Sequence, residues 1–81
     1  MSPADIQRAL RWITSPESKF PLALVASLSG LSRMQLYRAR DGNGITERVQ
    51  SLLSPLLSDV LSGRVTAYRV RNEWRVTHTE M

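Results

Sequence analysis

Residues 22–39 read LALVASLSGLSRMQLYRA, and the order of small, glycine and basic residues in this stretch decides the fold. Pro21 suits the first turn of a helix, because its φ is already helical and its missing N–H is not needed there. That helix is expected to run to Leu28 or Ser29, with Leu22, Val25, Ala26 and Leu28 as its apolar side. Gly30 stops it, since glycine takes the left-handed conformation at little cost. Ser32-Arg33-Met34-Gln35 then has the form of a capping box, in which the serine hydroxyl accepts from the Gln35 amide and the glutamine reaches back. A further helix is predicted over 33–40. It turns Leu36 and Ala39 inward and leaves Arg33, Met34, Tyr37 and Arg38 elsewhere. Asp41-Gly42-Asn43-Gly44 ends it with two glycines.

Working outward from this pair, Ser2, Pro3 and Asp5 read as the cap, first turn and dipole-facing acid of an amino-terminal helix. Ile6, Leu10 and Ile13 give it one apolar stripe, with Trp12 to the side, and Thr14-Ser15-Pro16 ends it. Downstream, Thr46 and Glu47 open a segment in which Val49, Leu52, Leu53, Leu56, Leu57, Val60 and Leu61 keep a helical repeat. Pro55 interrupts it. An interior proline costs about 3 kcal/mol, and Ser54-Pro55 is a good cap and first turn, so two helices over 46–53 and 55–62 are expected, closed by Gly63. The last block alternates. Thr66, Tyr68, Val70, Trp74, Val76 and His78 fall on even positions, which is strand periodicity. A three-residue turn, Arg71-Asn72-Glu73, with Asn72 at positive φ, would pair Val70 with Trp74 and Tyr68 with Val76 on one face. Such a hairpin is marginal alone and must pack on the helices or on another chain.

The expected fold class is therefore mostly α: four to five short helices with a central helix-turn-helix, followed by a carboxy-terminal β-hairpin. The 81 residues are expected to form a single domain (1–81), helical over 3–62 with the hairpin over 64–78. With 42% hydrophobic and 22% charged residues the composition is globular, which excludes a disordered or collagen-like chain. No apolar run approaches the roughly 18 residues of a membrane helix. The first residues lack the basic-then-apolar pattern of a leader, so a cytoplasmic location is expected. There is no cysteine, and the lone His78 builds no zinc site, so no metal or other cofactor is expected. Nothing suggests a Ser-His-acid triad, and the 41–44 loop lacks the lysine and the strand-loop-helix setting of a phosphate loop. The chain is not expected to be an enzyme, and no small-molecule effector is expected.

The net charge is +4, carried by ten arginines and one lysine against seven acids. GC-rich coding would favour arginine over lysine everywhere but would not cluster it. Residues 33–40 hold Arg33, Arg38 and Arg40 and no acid, and a second basic block follows Gly63. Clustered arginine is the footprint of a phosphate binder.

The pattern LxxVAxxxGLSRxxLYR, from Leu22 to Arg38, resembles the helix-turn-helix of phage repressors, Cro proteins and related bacterial regulators (the XRE-like type). Ala26 is the small residue under the helix crossing, Gly30 the turn glycine, and Leu31 and Leu36 the apolar positions. The resemblance implies sequence-specific binding of double-stranded DNA by a small phage or bacterial transcriptional regulator. It also implies a homodimer on a palindromic operator, with the helix over 33–40 in the major groove. It assigns the reading face to Ser32, Arg33, Met34, Tyr37 and Arg38. Gln35 either pairs with adenine or closes the capping box, the latter favoured, while Tyr37 and Arg40 fit phosphate contacts. The hairpin has three readings: a wing with Arg69, Arg71 and Arg75 on DNA; a dimerisation strand, as in Cro-like proteins; or a core cover, the last two using Tyr68, Val70, Trp74 and Val76. The rival reading of the whole chain is a small phage-encoded adaptor or inhibitor that binds protein.

Overall fold

Side-chain caps set where the helices begin. In the computed structural model, which describes residues 1–79, α1 (Pro3–Ile13) starts at a full capping box: the Asp5 N–H donates to Ser2 Oγ and the Ser2 N–H to Asp5 Oδ2, both at 3.2 Å. A hydrogen bond from Arg8, and then the Ser2 contacts, hold the Asp5 carboxyl below the ordinary carboxylate range. The loop after α1 sends Phe20 into the core. Pro21 stands one residue ahead of α2 (Leu22–Ser29) as its N-cap. The second capping box, at Ser32 and Gln35, opens α3 (Arg33–Arg40), and the Thr46 hydroxyl accepts from the Val49 N–H to open α4 (Glu47–Ser62). Gly30 and Gly63 close α2 and α4 at φ +76° and +81°.

α4 is one helix and not the two expected around Pro55. The four helices are therefore the lower of the two expected counts, and with the hairpin they make a mixed architecture. Ser51 and Pro55 both lie on the exposed side, so the Ser51 carbonyl that loses its N–H partner at Pro55 faces water. The Ser54 hydroxyl donates to the Gln50 carbonyl at 2.7 Å, occupying a neighbouring acceptor. On the inner side Leu53 and Leu57, one on each flank of Pro55, are fully buried. Each such burial is worth about 1.5–3 kcal/mol, together about 3–6 kcal/mol, which matches or exceeds the roughly 3 kcal/mol of an interior proline. Continuity keeps both leucines in the core, and that outweighs the local signal.

One buried cluster draws on all four helices and on the first strand. α1 contributes the expected Ile6, Leu10 and Ile13, and α3 the expected Leu36 and Ala39. α3 packs chiefly on α1, and α2 touches both α3 and α4. Leu28, expected on the inner side of α2, is exposed; Leu24 takes its place beside Leu22, Val25 and Ala26. Ser29, polar and buried, is satisfied: its hydroxyl donates to the Val25 carbonyl at 2.6 Å and accepts from the Leu31 N–H at 3.3 Å.

β1 (Val65–Val70) and β2 (Glu73–His78) form an antiparallel hairpin. Its loop has two residues, not three. Arg71 and Asn72 both have positive φ, 52° and 67°, as the two central residues of a type I′ turn do. The shorter loop matches the twist of the strands, and it shifts the register. Val70 faces Glu73, Arg69 faces Trp74, Tyr68 faces Arg75 and Ala67 faces Val76. A one-residue slip exchanges faces. Tyr68 and Val70 therefore do not share a face with Trp74 and Val76, contrary to the expected pairing. The base packs on the helices through buried Val65 and partly buried Ala67 and Val76, while the far half projects. Among the described residues no helix is long and apolar enough to cross a membrane.

The Gly30 turn gives a direct check. A Cβ placed there would meet nothing within 4 Å, so a substitution pays only for the left-handed backbone. For an L-residue that is about 1–2 kcal/mol, and more for a β-branched one. Gly30→Val is expected to lower the melting temperature by about 5–15 °C in a chain of this size, read by circular dichroism. An unchanged melting temperature would mean that the turn does not need the left-handed state.

Candidate nucleic-acid interface

The α3 surface follows from which of its residues the core takes. Leu36 and Ala39 are buried, and at 100° per residue the opposite side is centred on Met34, flanked by Tyr37 and Arg38. Met34 is 64% exposed, the most open large apolar residue among those described. Arg33 lies one turn before Tyr37, and Met34 one turn before Arg38, so the face carries two parallel rows. Neither Arg33 nor Arg38 has an ion pair or side-chain hydrogen bond among the described residues.

The other expected site residues are partly committed. Ser32 accepts from the Gln35 N–H at 3.1 Å, and Gln35 Oε1 accepts from the Ser32 N–H at 2.9 Å. Gln35 thus closes the capping box, the favoured of its two expected roles, and only its NH₂ group remains to donate. Arg40 is 34% exposed at its side chain; its Nε reaches Asp41 Oδ1 at 3.4 Å and its guanidinium lies 4.8 Å from the Tyr37 ring centroid. The Tyr37–Arg40–Asp41 set was not read from sequence. The i, i+3 spacing of Tyr37 and Arg40, with an acid next in the chain, is the signal that carries it.

The surface as a whole offers a row of donors and one soft apolar contact on a rod about 12 Å long. Guanidinium forks match the guanine O6/N7 edge or a phosphate, and Met34 matches a thymine methyl. Among the described residues there is no group of three or more His, Cys, Asp or Glu that could hold a metal ion.

No family model, curated protein or solved structure matches the chain.

Among the helices the hairpin packs chiefly on α4, not on α3. Arg69 stacks on Trp74 at 5.4 Å, and Arg75 leans toward Glu73 at 3.6 Å, both exposed. Arg71 stands at the tip. Tyr68, Val70 and Trp74 are all about two-fifths exposed, Tyr68 and Val70 on one face and Trp74 on the other. The four apolar residues named for dimerisation are thus divided between two surfaces, and only Val76 takes part in covering the core.

Proposed function

We propose that this chain is a helix-turn-helix module that binds double-stranded DNA in a sequence-specific way, with α2 as the supporting helix and α3 in the major groove. The observation that carries the reading is the division of α3: Leu36 and Ala39 are spent on the core, and Arg33, Met34 and Arg38 are left outward, the two arginines without an ion pair among the described residues. A helix of eight residues fits a groove about 12 Å wide. Ser32 and the first-turn amides meet phosphate, Arg33 and Arg38 read base edges, and Tyr37 with Arg40 positions the helix on the backbone.

The active species in this reading is a homodimer on a palindromic operator, as in a small phage or bacterial transcriptional regulator. The molecule measures 34 × 28 × 23 Å. Two copies of that size side by side are compatible with half-sites roughly 34 Å apart, one helical turn. Among the described residues no third strand pairs with either outer edge of the two-stranded sheet, which leaves both to a partner strand in this reading. Selection of bound duplexes from a random pool, at two salt concentrations, tests the reading. An enriched palindrome supports it; enrichment of no sequence at either salt rejects it. A protein-binding adaptor remains the second reading, and it draws on the depression between Met1, Trp12 and Leu61, where Trp12 and Leu61 are each 46% exposed.

A further inference from the structure

The hairpin tip holds an arginine where the backbone disfavours one. The first central position of a type I′ turn needs positive φ, and asparagine, aspartate and glycine supply it at least cost. Arg71 occupies it at φ 52°, followed by Asn72 at φ 67°. Arg71 has no ion pair, side-chain hydrogen bond or aromatic partner among the described residues. Its charge has company. Within 68–75 there are three arginines and one acid, Glu73. Arg69 is held over Trp74, and on the other face Arg75 sits across from Tyr68 and reaches toward Glu73. Only the base of the ribbon is packed, through Val65, Ala67 and Val76. The far half is a projecting, positively charged finger whose apex keeps a strained residue.

We propose that this tip is a second DNA contact, in which Arg71 meets a phosphate of the duplex outside the groove occupied by α3. The proposal rests on the DNA-binding reading above and adds a separate element to it. The partner is the sugar-phosphate backbone, because the far half carries three guanidinium groups against one carboxylate and its exposed apolar residues are split between two faces rather than gathered into one patch. A phosphate contact adds affinity without sequence preference, and it shows in the salt dependence.

The turn chemistry supplies an unusually clean variant. Arg71→Asn puts a better residue in the left-handed position while removing the guanidinium. It is expected to keep the fold and raise the melting temperature by about 2–5 °C. On a mixed-sequence duplex of about 30 bp, long enough for two half-sites, it is expected to bind more weakly than the parent. Its plot of log K against log salt should be shallower by about one per subunit, hence by about two for the dimer. Between about 50 and about 200 mM salt the parent should thus lose roughly tenfold more affinity than the variant. Arg71→Lys, which keeps the charge, should retain the slope.

An unchanged slope and affinity for Arg71→Asn, alongside weakened operator binding for Arg33→Ala, would overturn the second contact and leave the α3 reading in place. Weaker binding that sedimentation traces to loss of a dimer would also overturn it, since the tip would then be a subunit contact. A parent protein that binds no duplex would remove the DNA-binding reading and this inference together.

Discussion

Leu36→Ala is expected to cost about 2–5 kcal/mol of folding stability, the range for a leucine deleted from a tight core. Leu36 has no exposed surface, and it is the only large side chain that α3 places in the core. Its partner Ala39 is too small to close the gap. The loss is severe because a chain of 81 residues buries a limited fraction of its surface, and its total stability belongs near the low end of the usual 5–15 kcal/mol. Urea denaturation should show the midpoint falling, with the slope preserved if the unfolded state is unchanged. Met34→Ala is the internal control. It lies on the same helix but is 64% exposed, so its effect should stay within about 0.5 kcal/mol. Equal midpoints for the two variants would mean that α3 does not dock through Leu36, and the exposed face assigned to it would have to be redrawn.

The parts of the fold that could be read from residues are those fixed by local chemistry. Ser2 with Asp5, and Ser32 with Gln35, close their capping boxes within three residues, so the starts of α1 and α3 do not depend on anything distant. Gly30 and Gly63 end helices by a backbone preference that is likewise local. What escaped were outcomes decided across the chain. Pro55 is a local breaker, and α4 runs through it because Leu53 and Leu57 are held by other elements. The hairpin register depended on whether the turn had two residues or three. Arg71 is a poor choice for positive φ, which pointed away from the two-residue loop that the strands adopt. That single residue moved Tyr68 and Val70 to the opposite face from Trp74 and Val76.

The candidate site shows the same division. The exposure of Arg33, Met34 and Arg38 follows from helical periodicity once Leu36 and Ala39 are inward. The engagement of Arg40 with Tyr37 and Asp41 depends on rotamers, and periodicity says nothing about those.

Arg33→Ala and Arg38→Ala are each expected to weaken operator binding by about 1–3 kcal/mol, or roughly 5- to 150-fold, with the fold retained. Both side chains are exposed and unpaired within the described chain, so removing either leaves no buried group unsatisfied. Five residues of helix separate them by about 7.5 Å along the axis, far enough for the two losses to add approximately. The double variant should then lose about 2–6 kcal/mol. Specific complexes are typically about 4–10 kcal/mol tighter than non-specific ones, so this removes much of the discrimination. Lysine is a further probe: Arg33→Lys keeps the charge but not the two-pronged fork, so it should retain non-specific affinity while losing preference for guanine. Arg40→Ala should act differently. Its guanidinium already divides itself between the Tyr37 ring and Asp41, so its removal should cost less and should weaken all sequences alike. Titrations of the selected operator and a scrambled duplex separate these outcomes. Unchanged operator affinity in the double variant would reject α3 as the reading element, whatever else the protein binds.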